Sequence, residues 1–166
     1  MESWAEKYRP KNLSEIIGNT RTITELKNWA ISWGGKMTKK GVILSGPPGC
    51  GKTSAAIALA NEMGWEIIEL NASDARSGNV IEGTALRAGL FQTFGEKGIS
   101  DRNLILLDEA DNLYERARQS KNKTKNYSDR GGKKAISKTL EQTKQPVIIT
   151  VNDLYNLTKG TGAKIK

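Results

Sequence analysis

Gly46-Pro47-Pro48-Gly49-Cys50-Gly51-Lys52-Thr53, led in by Val42-Ile43-Leu44 and followed by an apolar helical run to Met63, is the stretch that decides the fold. It fits G-x-x-x-x-G-K-[ST] and lies where that motif works, between a strand and a helix. Val42 to Leu44 is apolar without alternation, as a strand buried on both faces should be. The helix reads from Thr53 through Ala55, Ala56, Ile57, Leu59, Ala60 and Met63, and Gly64 ends it. Glycines let such a loop wrap phosphates so that successive N–H groups point inward. The helix adds the positive end of its dipole. Gly46, Pro47, Pro48, Gly49, Cys50, Gly51, Lys52, Thr53 and Ser54 are therefore candidate contacts to ATP. Lys52 would reach the β- and γ-phosphates, and the Thr53 hydroxyl would ligate Mg²⁺. Cys50 reads as a small residue facing away from the nucleotide rather than as a redox centre.

About 55 residues after Thr53, Leu104-Ile105-Leu106-Leu107-Asp108-Glu109 ends an apolar strand on two adjacent acids. Ligands of open α/β sheets bind at the carboxyl ends of the strands. Asp108 is the candidate Mg²⁺ holder, through water, and Glu109 the candidate for polarising the attacking water. Asn152 follows a further apolar run, Val147 to Val151. If that strand lies between the strands carrying the loop and Asp108, its amide stands beside the γ-phosphate and orients the water. An Asn-Asp pair after a strand also makes an ordinary turn.

Between these landmarks strands alternate with helices, which predicts a parallel sheet sandwiched between helix layers. A helix is expected from about Asn19 to Ser32, capped by Asn19 or Thr20, with Ile23, Leu26, Ala30 and Ile31 on its apolar face. Trp65 to Leu70 reads as a second strand. Helices are expected over about 78–94 and 132–143, the latter leading through Gln145-Pro146 into the Val147 strand.

The 166 residues, 37% hydrophobic and 27% charged, allow one globular domain with a sizeable core. One cysteine and no histidine exclude a zinc site or a histidine triad, so a metal must rest on oxygen ligands. No apolar run approaches the roughly 20 residues of a membrane span. The opening Met1 to Lys7 lacks the apolar stretch of a signal peptide. The formal net charge of +8 is concentrated: residues 114–134 hold eight basic side chains against two acids. A segment of that kind is either an electrostatic contact surface or a solvated face. Its middle, 120–126, reads as a mobile loop.

The chain resembles the clamp-loader subunits of the replication factor C family within the AAA+ ATPases, and in particular the archaeal large subunit. The resemblance is carried by Trp4-Ala5-Glu6-Lys7-Tyr8-Arg9-Pro10 with Leu13 to Gly18, by Gly64-Trp65-Glu66 with Glu69 to Arg76, and by Asp129-Arg130-Gly131-Gly132. It implies a three-layer P-loop NTPase (AAA+) core over residues 1–166, lacking the fifth strand and helical lid. It implies that segment 1–18 folds over the adenine, with Tyr8, Arg9, Pro10, Ile17 and Gly18 as base contacts. It further implies that ATP-bound subunits form a spiral, open a sliding clamp and grip primer–template DNA, in the cytoplasm of an archaeal cell. Arg130, Lys133 and Lys134, and Arg76, Ser77 and Asn79, stand at expected helix starts where side chains and N–H groups can meet DNA phosphate. The family's partners are clamp-loader small subunits and the sliding clamp. Its arginine finger comes from a neighbouring subunit, so none is assigned here. Its strand order (fifth, first, fourth, third, second) would leave the Val42 strand on an open edge. The chain by itself is accordingly expected to be marginally stable and a poor ATPase. Two other readings share the nucleotide motifs: an ATP-dependent assembly switch without turnover, and another AAA+ DNA machine such as a branch-migration helicase.

Overall fold

The computed structural model describes residues 4–33, 39–71, 102–110 and 140–155. Their centre is a four-stranded parallel sheet of β1 (Gly41–Ser45), β2 (Glu66–Asn71), β3 (Asn103–Asp108) and β4 (Val147–Val151), in the order β1-β4-β3-β2. The two inner strands carry the most apolar sequences, Asn-Leu-Ile-Leu-Leu-Asp and Val-Ile-Ile-Thr-Val, and they are the most deeply buried. Strands covered on both faces gain from β-branched and aliphatic side chains at every position, which is why alternation is missing. Among the described residues β1 pairs with β4 alone.

Successive residues of the inner strands point to opposite faces. Leu104, Leu106 and Ile148 face a core built with α2 (Thr20–Ser32) and α3 (Lys52–Met63). Ile105, Leu107, Val147, Ile149 and Val151 face a second core that includes Ala110 and Leu140. Residues 140–142 are helical, so helix lies on both sides of the sheet. Residues 132–139 of the helix expected over 132–143, and the whole of that over 78–94, fall outside the described residues, while Thr143 is already past the helix end.

Helix α3 is alanine-rich where it meets the sheet: Ala55, Ala56, Ala58 and Ala60 are buried and bring its backbone close. It ends where the sequence places its stop, at Gly64 with φ 66°. The Trp65 N–H reaches Ala60 O at 2.9 Å and the Gly64 N–H reaches Asn61 O at 3.2 Å, the paired bonds of a Schellman cap. Trp65 is thereby removed from β2 and turned into the core, where its ring meets that of Trp29 edge-on at 6.5 Å.

Helix α2 differs from its sequence reading in two respects. Asn19 occupies the cap position with left-handed backbone, φ 50°, and makes no side-chain cap bond. Its buried residues are Leu26, Trp29 and Ala30, whereas Ile31 is 62% exposed. At 100° per residue, Trp29 lies on the stripe of Leu26 and Ala30, and Ile31 is rotated one step beyond it. The Trp29 indole N–H donates to Lys39 O at 3.2 Å, so burying this large ring leaves no polar atom unpaired.

Before α2, a short helix α1 (Trp4–Lys7) is followed by a 3-10 turn (Leu13–Glu15) that packs at the far end of α3. Leu13 is buried there, and its N–H donates to Glu62 Oε2 at 3.2 Å. Lys27 of α2 forms an ion pair with the same carboxylate. No helix among the described residues is long and apolar enough to cross a membrane.

Candidate active site

Because all four strands are parallel, the loop after β1, the acids at the end of β3 and the amide after β4 emerge along one edge of the sheet. The strand order places β4 between β1 and β3, the condition on which the reading of Asn152 rested. Lys52 Nζ lies 2.9 Å from Asn152 Oδ1, 2.8 Å from Gly46 O and 3.0 Å from Pro47 O. An ammonium has three N–H donors, and each has an oxygen here. One residue on, Thr53 Oγ1 donates to Asp108 Oδ1 at 2.9 Å.

The loop has the backbone its glycines were read to provide. Gly49 and Gly51 have φ of 77° and 91°, values that L side chains rarely adopt. The helical ladder of α3 begins with Ala55 N–H to Gly51 O at 2.8 Å, so the N–H groups of Lys52, Thr53 and Ser54 precede it. Cys50 is exposed, and its sulfur stands beside Gly46, where an added Cβ would come within 3.0 Å of it.

Glu109 is exposed and has left-handed backbone, φ 52°, a strained value for a non-glycine residue. Two bonds to one residue hold it: Glu109 N–H donates to Thr150 Oγ1 at 3.0 Å, and Ala110 N–H to Thr150 O at 2.9 Å. Thr150 Oγ1 in turn donates to Asp108 Oδ1 at 2.5 Å. Sequence reading missed Thr150, since threonine is an ordinary strand residue in Val-Ile-Ile-Thr-Val. The available signal was a lone hydroxyl inside a strand buried on both faces, which must find a partner.

These oxygens suit the hard cation expected of an ATP site. Mg²⁺ is usually held by one or two carboxylates together with substrate phosphates, rather than by an all-protein cage. Asp108 and Thr53 present such a pair of oxygens next to the loop. Among the described residues no group of three or more His, Cys, Asp or Glu side chains could hold a metal.

The expected adenine contacts lie on the segment that precedes α2. Tyr8 is 67% exposed, meets Trp4 at a tilt with ring centroids 5.8 Å apart and has Lys7 above its ring, while Ile17 is 99% exposed. Arg9 and Pro10 are half-buried, and Gly18 has φ 87°. A depression of about 630 Å³ is lined by Ile16, Gly18, Ile23, Lys27 and Glu62 among others, and no P-loop residue lines it. Glu62 is ten residues after Lys52, roughly 15 Å along α3 at 1.5 Å per residue. The Leu13–Glu62 bond thus anchors Leu13 at the opposite end of that helix from the phosphate loop. Arg76, Ser77, Asn79, Arg130, Lys133 and Lys134 lie outside the described residues, as does the whole basic segment 114–134.

Residues 42–161 match the model of the ATPase family associated with various cellular activities (AAA). The chain belongs to this family. As an AAA protein it is similar to the replication factor C large subunit of Methanothrix thermoacetophila, 48% identical over 96% of this chain and 31% of the relative. The large subunit of Methanosarcina mazei is 47% identical over 93% of this chain and 23% of that protein. The chain therefore spans about a third or less of the length of these relatives. A solved chain from "Structural Basis for Katanin Self-Assembly" superposes with a TM-score of 0.59 over 89% of this chain and 48% of that one. At 21% identity that likeness is one of fold alone.

Proposed function

We propose that this chain is the ATP-binding and ATP-hydrolysing part of a clamp-loader large subunit, which helps load a sliding clamp onto primer–template DNA. The observation that carries the proposal is the convergence of Lys52, Thr53, Asp108 and Asn152 at one edge of the sheet, bonded as Lys52 to Asn152 and Thr53 to Asp108, with Glu109 next in the chain. The similarity to replication factor C large subunits over nearly the whole chain supplies the biological setting.

In this reading the N–H groups of Gly49 to Ser54 bind the phosphates of ATP, and Lys52 exchanges a carbonyl partner for a γ-phosphate oxygen. Asn152 orients a water. Glu109, held out by its left-handed backbone, takes that water's proton as the water attacks. Thr53 and Asp108 hold Mg²⁺, which when bound neutralises charge on the β- and γ-phosphates. Tyr8, Arg9, Pro10, Ile17 and Gly18 contact the base. The partners are clamp-loader small subunits, one of which supplies an arginine to the site, together with the clamp and DNA. Arg76, Ser77, Asn79, Arg130, Lys133 and Lys134 contact DNA phosphates, giving sequence-independent, salt-sensitive binding.

The test is Glu109→Gln in the full-length subunit co-expressed with small subunits and clamp. ATP binding should persist while turnover on primed DNA falls by about 10² to 10⁴, the usual worth of a general base. Absence of DNA-stimulated turnover in the unsubstituted complex would favour the assembly switch, and wild-type turnover by Glu109→Gln would remove Glu109 from the mechanism.

A further inference from the structure

The two acids at the end of β3 have separate roles in the proposed hydrolysis, one for the metal and one for water, yet a single side chain on the neighbouring strand joins them. Thr150 is 1% exposed and shares the face of β4 that carries Ile148 toward α3. Its register partner on β1 is Leu44, in the strand that feeds the phosphate loop. On the other side, the β3–β4 ladder pairs Leu107 with Ile149, which brings Thr150 opposite the end of β3. One hydroxyl there both donates to Asp108 Oδ1 and accepts from the Glu109 N–H, and the same residue's carbonyl accepts from Ala110.

A hydroxyl has one proton and two lone pairs, so these two bonds use it in opposite senses and fix its orientation. Its proton is committed to Asp108, which leaves its lone pair for Glu109. Asp108 Oδ1 accepts from Thr53 as well, so that one oxygen receives both hydroxyls. The Asp108 carboxylate is thereby turned toward the start of α3, and the strained backbone of Glu109 is pinned by the same side chain. Valine would fill the same space and keep the carbonyl bond but could make neither hydroxyl bond.

We propose that Thr150 is a positioning residue for the metal-bound nucleotide: its buried hydroxyl sets the carboxylate of Asp108 and the backbone of Glu109 together. This rests on the reading of the site as an ATP site. Loss of the hydroxyl should weaken the metal-dependent part of ATP binding more than the phosphate-loop part, since the loop is built on β1 and α3 and owes Thr150 nothing directly. Partners standing behind a metal ligand typically govern affinity by about 10- to 100-fold.

The experiment measures ATP affinity by titration calorimetry, with EDTA and with Mg²⁺, for the unsubstituted chain, Thr150→Val and Thr150→Ser. Thr150→Val should keep its EDTA affinity within about twofold and lose about tenfold or more of the Mg²⁺ enhancement. Thr150→Ser, which retains the hydroxyl, should restore that enhancement. Hydrogen exchange at the Glu109 amide, read on the same samples, should speed up in the valine variant only. An intact Mg²⁺ enhancement in Thr150→Val overturns the inference, and so does an equal loss with and without metal, which marks a purely structural role. If valine prevents folding, a serine variant that folds yet lacks the Mg²⁺ enhancement overturns it equally. Should the unsubstituted chain bind no ATP in either buffer, the nucleotide reading itself falls and the inference with it.

Discussion

Asp108 is the residue whose replacement separates shape from charge. Its Oδ1 accepts hydroxyl protons from Thr53 at 2.9 Å and from Thr150 at 2.5 Å, and the residue is only half-buried. Hydrogen bonds to a charged group are worth about 1.5–3 kcal/mol and neutral ones about 0.5–1.5 kcal/mol. Asparagine keeps an oxygen where both hydroxyls point, so Asp108→Asn should lose about 1 kcal/mol per bond, about 2 kcal/mol in all. Alanine removes the acceptor altogether. Water can replace it for Thr53 but not for the buried Thr150, so Asp108→Ala should cost about 1–2 kcal/mol more. At about 2–4 °C per kcal/mol, the melting temperature should fall by about 4–8 °C for asparagine and further for alanine. The assay is thermal unfolding in metal-free buffer followed by tryptophan fluorescence, paired with Mg²⁺-ATP titration. Both variants should lose metal-dependent nucleotide affinity. An unchanged melting temperature for Asp108→Asn, or equal melting temperatures for the two variants, would refute the assignment of two charge-assisted bonds to this carboxylate.

Gly51→Ala meets no neighbouring atom but must hold φ near 91°, so nucleotide affinity should drop about tenfold, matching the 1–2 kcal/mol that left-handed backbone costs an L residue; a fluorescent ATP analogue reads it. The Lys27 ammonium bonded to Glu62, aided by the Leu13 N–H, holds the Glu62 carboxyl below its ordinary 4.5 against the opposing effect of burial. Its stabilisation is therefore complete above pH 4.5 and lost as pH falls through the lowered value, so acid unfolding of Glu62→Gln and of the unsubstituted chain should converge below that range. Trp29→Ala removes a buried ring set against Trp65 and should cost about 3–5 kcal/mol in urea unfolding. Replacing Arg130, Lys133 and Lys134 together by alanine should reduce the slope of log affinity for DNA against log salt by about 0.9 for each phosphate contact removed; an unchanged slope would mark this charge as a solvated face.

Sequence was most informative where one residue type alone satisfies a local constraint. Gly64 had to follow α3 because a Schellman cap needs positive φ, and the strand expected over Val147 to Val151 has those limits in the structure. It was less informative where side chains compete for a face. Ile31 and Trp29 are both apolar and lie two residues apart on α2, and only packing against Trp65 selects the tryptophan. The cap at Asn19 failed similarly, because the entering chain turns through left-handed backbone and carries the side chain away from the helix N–H groups.

The Gly46 to Thr53 motif between a strand and a helix, the acids ending β3 and the parallel layered architecture were legible in the amino-acid order alone, because glycine conformation, strand hydrophobicity and helix periodicity act over a few neighbouring residues. Strand order was not settled in that way. Asn152 is 100 residues from Lys52, and no local preference tells β4 to insert between β1 and β3. That insertion is accompanied by burial of Val147 to Val151 at every position, under the layers that cover both faces of the sheet. The same insertion carries the Thr150 hydroxyl to Asp108, a contact between residues that a local reading of the chain has no means of joining.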